Sequence, residues 1–216
     1  MGFDPRVVSF PANFLIQRKT KYWWNEFSSP LHEVDVGVGQ GSALSPILSA
    51  LYLSSLLYIL EKRLNSLNIP VSLISFVDDS LFISQNKSIT ISNAQLFYSY
   101  NVLLGLLKKF GLSIKHSKTE TFHFNRSYRT FNPSPLDLSP LGGPVLYPKS
   151  SQKYLGFIFD QKLTFHQHID FYSNKAISNV KYMKILGNLT QGIKPTQKQL
   201  LYKYCVLTIA LYGFQL

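Results

Sequence analysis

Apolar and polar positions follow two different periods along this chain, and the shorter period marks a hairpin in its first half. Two apolar runs of the strand type, residues 71–77 and 81–84, are separated by the adjacent carboxylates Asp78 and Asp79. The pattern predicts a β-hairpin with both acids at or near its turn. Two neighbouring carboxylates are costly to bury unless a cation lies opposite them, so the pair calls for an explanation.

The helical period is clearest over residues 92–110. Ser92 and Gln95 form a capping-box pattern at the start of this segment, and Gly111 supplies a stop at its end. The apolar residues between them repeat at helical spacing, at Leu96, Leu103, Leu107 and Phe110. The segment is therefore predicted to be a helix.

Residues 43–60 carry no charge and allow two interpretations. Their length approaches the roughly 18 apolar residues that make a candidate membrane span. However, the segment contains four serines and a proline, and no basic residue lies just before it. Ser45 and Pro46 also resemble an N-cap and a first helical position. A fully buried helix is the favoured interpretation, and no membrane association is predicted.

The second half of the chain changes character after residue 160. Residues 125–151 are rich in Pro, Gly and Ser, with Gly142 and Gly143 as a predicted hairpin turn, and residues 153–160 are predicted to form a strand. Residues 165–189 and 196–211 are predicted helices. The order predicts an α+β fold in two subdomains, residues 1–160 and a helical part, residues 161–216.

The charge balance favours a polyanionic partner, nucleic acid first and an anionic membrane surface second. The chain of 216 residues has 22 Lys and Arg against 11 Asp and Glu, a formal net charge of +11. Beyond residue 160 the sequence contains seven lysines and a single acidic residue, Asp170. The single Cys205 excludes an internal disulfide and fits a reducing, intracellular compartment, and its apolar neighbours predict a small core residue.

Asp78 and Asp79 have a structural and a chemical interpretation. Asp is favoured in turns, so a solvated hairpin turn accounts for both residues without any chemistry. Alternatively, adjacent carboxylates on a hairpin are hard oxygen ligands for Mg²⁺, which keeps several waters and takes further ligands from substrate phosphates. In that case the pair would serve phosphoryl transfer.

Five sequence blocks, which occur in a fixed order, favour the chemical interpretation. They are "GVGQGSALSPILSALY" at 37–52, "FVDD" at 76–79, "GLSIKHSKTE" at 111–120, "KYLGFIFD" at 153–160 and "ALYGF" at 210–214. In this order they resemble motifs B, C, D and E and a tyrosine-glycine element in the thumb of the reverse transcriptases of non-LTR retrotransposons. The resemblance implies a partial polymerase palm, an antiparallel sheet with packed helices, followed by a basic helical thumb.

The resemblance implies roles at matching positions. Asp78 and Asp79 would be catalytic metal ligands for Mg²⁺, with Mn²⁺ as an alternative, and Lys118 would face the nucleotide phosphates. Phe76 would pack beneath the site. The templating base and the incoming deoxynucleotide would lie against Gln40, Gly41 and Ser42.

The same resemblance implies contacts with an RNA template and a DNA primer. Tyr154, Leu155 and Gly156 would support the primer end. The phosphate backbone of the template–primer duplex would be contacted by Lys175, Lys181, Lys184 and Lys198. These residues also have structural interpretations. The lysines would then lie on the solvated faces of amphipathic helices, and the Tyr-Leu-Gly segment would belong to the core. Core or interface packing is also favoured over base stacking for the aromatic residues Tyr22, Trp23 and Trp24.

Two departures from the family pattern shape the functional hypothesis. Gly39 stands where motif B has proline, which loosens that turn. Motif A, which supplies a further aspartate, and the fingers are not found, and neither Asp4 nor Asp35 replaces that aspartate. We therefore expect a truncated reverse transcriptase that binds metal weakly and does not polymerise alone. The alternative is a catalytically inactive module that binds nucleic acid.

Overall fold

The computed structural model describes residues 4–34, 36–39, 41–125, 134–185 and 192–215, and it is a mixture of helices and short antiparallel sheets. The chain divides into two compact units, Met1–Ile114 and Lys115–Leu216. This division lies before the boundary at residue 160 that the sequence predicts. Residues 151–160 thus belong to the same compact unit as the helices that follow them.

The first unit opens with helix α1 (Pro5–Leu15) and four short strands. Asp4 caps α1, since its carboxylate accepts a hydrogen bond from the backbone N–H of Arg6 at 2.8 Å. Strand β1 (Arg18–Thr20) pairs with β4 (His32–Val34), and β2 (Trp23–Trp24) pairs with β3 (Phe27–Ser28), all antiparallel. The aromatic side chains of Tyr22, Trp23 and Trp24 are exposed, Trp24 to 78%, which contradicts core packing and leaves interface packing as a prediction.

Helix α2 (Ser45–Ser66) buries only one of its sides. Leu56, Leu60 and Leu64, spaced four residues apart, are at most 1% exposed, whereas Ile47 and Tyr58 lie in solvent. The expectation of a fully buried helix is therefore wrong. Among the described residues, no helix is both long and apolar enough to cross a membrane.

The start of α2 also differs from the prediction. Leu44 occupies the N-cap position, one residue earlier than expected, and makes no side-chain capping bond. The Ser45 hydroxyl instead donates a 2.6 Å hydrogen bond to the carbonyl oxygen of Gly39. Ser45 thereby ties the helix to the glycine-rich turn before it.

A β-hairpin packs against α2 and the next helix. Strands β5 (Val71–Phe76) and β6 (Asp79–Ser84) pair antiparallel, as the sequence predicts. Leu73 and Phe82 are cross-strand partners and pack on the core of the unit. The buried members of that core come from two helices and are Leu56, Leu60, Leu64, Leu103, Leu106 and Leu107.

Helix α3 (Ile89–Lys109) begins earlier and ends where expected. Ser88 is its N-cap, so the capping box predicted at Ser92 is wrong: Ser92 is buried within the first turn. Gly111 adopts a φ of +64°, and the N–H of Leu112 donates to the carbonyl of Leu107 at 2.9 Å. This is a Schellman motif, and it confirms the glycine stop.

The second unit contains two hairpins and a pair of helices. Strands β7 (Leu136–Asp137) and β8 (Val145–Leu146) enclose the loop with Gly142 and Gly143, and β9 (Ser151–Tyr154) pairs with β10 (Phe157–Asp160). The single strand predicted over 153–160 is therefore parts of two strands and their turn.

Two helices complete this unit. Helix α4 spans His166–Ile185; the rest of the helix predicted to residue 189 lies outside the described residues. Helix α5 (Pro195–Leu201) continues through a π-helical segment (Tyr202–Leu207) to Thr208–Ala210. Cys205 lies in that segment and is exposed, so its prediction as a core residue is wrong.

Candidate active site

The two central carboxylates lie at the tip of the β5–β6 hairpin. Phe76 and Asp79 form its last cross-strand pair, and Val77 and Asp78 make the two-residue turn between them. Both acids are exposed, and within the described part of the chain neither carboxylate takes part in a hydrogen bond or an ion pair. The burial cost that their apolar surroundings suggested does not arise, and their oxygens are free to bind a cation from solution.

The turn holds a residue in an unfavourable backbone conformation. Val77 has a φ of +54°, in the left-handed region that β-branched residues avoid. Asp78 has no positive φ, so the signs of φ match a type II′ turn, whose first central residue is ordinarily glycine. Backbone strain of this kind persists only where the surrounding structure maintains it, and it is frequent at functional sites.

Phe76 does not pack beneath the acids as expected. Its side chain is 58% exposed and shares a hairpin face with its partner Asp79 and with Ile74, which is also exposed. The other face carries Leu73 and Phe82 and packs on the helices. Since alternate residues of a strand face opposite sides, anchoring that second face turns Phe76 and Asp79 outward.

The chemistry of the two acids fits a hard divalent cation. Mg²⁺ prefers carboxylate oxygens, is bound by one or two carboxylates, and takes substrate phosphates and waters as further ligands. Asp78 and Asp79 match that donor set and have no competing cation among the described residues. Over those same residues there is no cluster of three or more His, Cys, Asp or Glu side chains that could hold a metal ion.

The glycine-rich turn before α2 is ordered by backbone and hydroxyl contacts. The carbonyl oxygen of Gly39 accepts from the Ser42 N–H at 3.4 Å as well as from Ser45, and the Ser42 hydroxyl accepts from the N–H of Leu44 at 3.3 Å. Gly41 has a φ of +88°, and apart from its chain neighbours no atom of the described residues lies within 4 Å of the place where a Cβ would be. Gln40 and Asp35 lie outside the described residues.

Lys118 belongs to the second unit, whereas the acids belong to the first. It ends a short 3₁₀ turn (His116–Lys118), is exposed, and forms no ion pair among the described residues. The nearby Glu120 accepts hydrogen bonds from Lys149 and Gln152. The Lys149 contact holds the pKa of the Glu120 carboxyl below its usual range, so this acid is already engaged.

The predicted primer-end segment is the turn between β9 and β10. Leu155 and Gly156 have φ values of +48° and +87°, the pattern of a type I′ hairpin turn. Tyr154 precedes the turn, and its hydroxyl oxygen is buried and has no hydrogen-bond partner among the described residues. The sequence interpretation missed Tyr172, which contacts this turn and has no signal in the sequence, and it gave Tyr212 no role beyond the "ALYGF" resemblance.

The four lysines assigned to the nucleic-acid backbone do not lie along one line. Lys175, Lys181 and Lys184 are exposed on α4, and Lys198 is half-buried on α5. At about 100° per residue, Lys181 and Lys184 share one side of α4, while Lys175 lies on the side opposite Lys184. Of the three lysines on α4, only Lys181 and Lys184 therefore share a helical face.

Comparison with known proteins bears on these residues directly. The family described as "Reverse transcriptase (RNA-dependent DNA polymerase)" matches residues 9–159, which include the glycine-rich turn, the acidic hairpin and Lys118. No solved structure matches the chain.

Two curated relatives are polymerases of mobile elements from Drosophila melanogaster. The "Probable RNA-directed DNA polymerase from transposon BS" is 26% identical over 198 residues, which cover 89% of this chain and 21% of that protein. The "RNA-directed DNA polymerase from mobile element jockey" is 23% identical over 218 residues, 99% of this chain and 23% of that protein. The chain thus spans about a fifth of the length of these relatives. Because the family match extends over more than half of the chain, the protein belongs to the reverse transcriptase family, and the predicted resemblance to the enzymes of non-LTR retrotransposons is confirmed.

Proposed function

We propose that this chain is the part of an RNA-directed DNA polymerase that presents Asp78 and Asp79 to the reaction and holds the template–primer duplex. The observation that carries the proposal is that the carboxylates of Asp78 and Asp79 are exposed and unpaired among the described residues. Both lie at the tip of a hairpin whose other face is anchored on a leucine core. Such unpaired carboxylates on a supported turn suit a ligand from outside the chain.

Asp78 and Asp79 would hold Mg²⁺ or Mn²⁺ through their carboxylate oxygens. When bound, the metal supplies activation of the primer 3′-hydroxyl and stabilisation of the oxygen that leaves with pyrophosphate. Lys118, exposed and without an ion pair among the described residues, would face the phosphates of the incoming deoxynucleotide. Two carboxylates are few for this task, so we propose that this chain alone binds the metal weakly.

The glycine-rich turn would receive the nucleotide and its templating base at Gln40, Gly41 and Ser42. The open space beside Gly41, with its positive φ, supports this role because a backbone without a side chain permits close approach. In the same scheme residues 1–160 form a partial palm and residues 161–216 a thumb. The exposed pair Lys181 and Lys184 would contact phosphates of the RNA–DNA duplex.

Binding is tested by titrating a fluorescent RNA–DNA hybrid with the full chain at increasing salt. We expect an affinity that falls steeply with salt. Replacing both Lys181 and Lys184 with alanine should reduce the slope of log affinity against log salt concentration by about 2. The matched control removes Lys108 and Lys109, which are exposed at the end of α3 and carry the same charge. Equal effects of both pairs, or no binding, would contradict the proposed duplex contact.

Synthesis is tested separately by primer extension with Mg²⁺ or Mn²⁺. We expect the 216-residue chain to bind the hybrid without extending it, because the described residues supply only two carboxylates at the hairpin tip. Template-dependent extension that disappears in Asp78→Ala would show that the chain is catalytically complete. Binding without extension would leave the chain as a nucleic-acid-binding part of its enzyme.

A further inference from the structure

Two tyrosines hold the turn between β9 and β10 by its backbone. The Tyr212 hydroxyl donates to the carbonyl oxygen of Leu155 at 2.9 Å, and the Tyr172 hydroxyl donates to that of Gly156 at 2.8 Å. The strand ladder ends at the pair Tyr154 and Phe157, so it leaves both of these turn carbonyls without a strand partner. Side chains from distant parts of the chain satisfy them instead.

The two tyrosines are themselves fixed by contacts within the second unit. Their rings stack with centroids 4.9 Å apart, and Tyr172 comes from α4 while Tyr212 follows the last helical turn. His168 is 6% exposed and links the two segments: its Nδ1 accepts from the N–H of Ile158 at 3.2 Å, and its Nε2 lies 2.9 Å from the carbonyl oxygen of Tyr212. Nε2 must therefore carry the proton and donate.

Close packing around the turn also explains two glycines, Gly156 of the "KYLGFIFD" block and Gly213 of the "ALYGF" block. A Cβ on Gly156 would lie 2.6 Å from the Tyr212 hydroxyl, and one on Gly213 would collide with the ring of Phe157. Both glycines also have positive φ, at +87° and +80°. The Tyr-Leu-Gly segment and the "ALYGF" segment, far apart in sequence, therefore pack together. We call the turn and the two tyrosines that bind its carbonyls the tyrosine clamp (Leu155, Gly156, Tyr172, Tyr212).

We propose that Tyr172 and Tyr212 are positioning residues, which set the orientation of the Leu155–Gly156 turn where it supports the primer 3′ end. The inference rests on the proposed function, since the turn matters to synthesis only if the chain holds a primer. Two hydroxyl donors on successive carbonyls restrain the turn more tightly than the strand ladder alone. Loss of a hydroxyl should then loosen the turn and misplace the primer end, without removing the lysines that bind the duplex.

The contact itself is tested by a double-mutant cycle on unfolding in urea. Gly156→Ala should lower the unfolding midpoint more in the wild-type chain than in the Tyr212→Phe background, because removing the hydroxyl removes the nearest obstacle to the new Cβ. Gly142→Ala is the matched control: its φ is also positive, at +77°, but nothing lies within 4 Å of a Cβ there. Additive effects of Gly156→Ala and Tyr212→Phe would overturn the clamp.

The positioning role is tested with an RNA–DNA hybrid whose primer ends in a photoreactive 4-thiothymidine. In the full chain we expect crosslinks to the Leu155–Gly156 turn. Tyr172→Phe and Tyr212→Phe should reduce their yield at least about fivefold, because small misplacements at a reacting centre have large effects. Hybrid affinity should stay within about twofold, because the phosphate contacts are intact. Tyr182→Phe, a substitution at an exposed position on the same helix, is the control.

The outcomes separate the two proposals. An unchanged crosslink yield in both tyrosine variants, or crosslinks that never reach the turn, would overturn the positioning role while hybrid binding still supports the proposed function. A chain that does not bind the hybrid would overturn the proposed function and the positioning role with it, and the urea cycle would still decide whether the clamp exists.

Discussion

Phe76 and Asp79 face each other as the last cross-strand pair of the acidic hairpin, and both are exposed to solvent. The pair is exposed because the opposite face of the same hairpin, with Leu73 and Phe82, packs on the leucine core of α2 and α3. A shift of the register by one residue would exchange the two faces. The position of Asp79 is thus set by hydrophobic packing on the far side of the sheet.

The first prediction concerns metal binding at the hairpin tip. Mn²⁺ added to the full chain should selectively broaden the NMR amide signals of residues 76–80, since a paramagnetic ion held by the two carboxylates lies beside them. The double variant Asp78→Asn/Asp79→Asn should lose this selective broadening. The control is Asp170→Asn, an exposed acid on α4. Broadening that persists in the double variant would show that the ion is bound elsewhere.

The second prediction compares Gly105, within α3, with Gly111, just after its C-terminal end. Gly111→Ala should lower the free energy of unfolding by about 1–2 kcal/mol, because its φ of +64° is unfavourable for a residue with a Cβ. Gly105→Ala, within the helix and with open space beside it, should raise the free energy of unfolding by about 0.5–1 kcal/mol. Urea denaturation measures both values. Changes of the same sign would refute the assignment of Gly111 as the helix stop.

The third prediction concerns the leucine core. Leu60 is 0% exposed, and its replacement by alanine should cost about 2–5 kcal/mol through lost burial and a cavity between α2 and α3. Ile47→Ala on the same helix removes a side chain that is 58% exposed and should cost much less. The comparison uses urea unfolding followed by far-UV circular dichroism. Similar costs at both positions would mean that the outer side of α2 is also covered in solution.

The fourth prediction concerns the pH dependence of stability. Asp160 accepts hydrogen bonds from the backbone N–H groups of Lys162, Thr164 and Phe165, at 3.0, 3.0 and 2.6 Å. Burial alone would raise the pKa of its carboxyl. The hydrogen bonds from Thr164, Phe165 and Lys162 together outweigh burial and lower that pKa below the usual 3.8.

A carboxyl whose pKa is lowered in the folded state stabilises the fold above its unfolded pKa, and this stabilisation is lost as the pH falls through the lower, folded value. The wild-type chain should therefore exceed Asp160→Asn in stability at neutral pH, and the difference should shrink below about pH 3.8. Thermal unfolding from pH 7 to pH 2.5 measures it. A difference that is constant over this range would show that the hydrogen bonds do not depend on the charge.

Some features of the fold follow from local sequence. The hairpin with Asp78 and Asp79 at its turn follows from two apolar runs and two turn-forming acids, and the end of α3 follows from Gly111, because both depend on neighbouring residues only. The start of α3 does not. Ser92 has a capping pattern, but the helix begins one turn earlier and Ser92 is buried. Tertiary burial overrode a local preference there.

The sequence by itself determined the family and the identity of the candidate catalytic acids, because these are carried by residue types in a fixed order. Only the tertiary structure decided which sides of α2 and of the hairpin are exposed, since exposure depends on the elements packed against them. It also decided that Tyr212 binds the carbonyl of Leu155, 57 positions away. A hydrogen bond between such distant residues leaves no period in the sequence, because it forms only when the chain has folded.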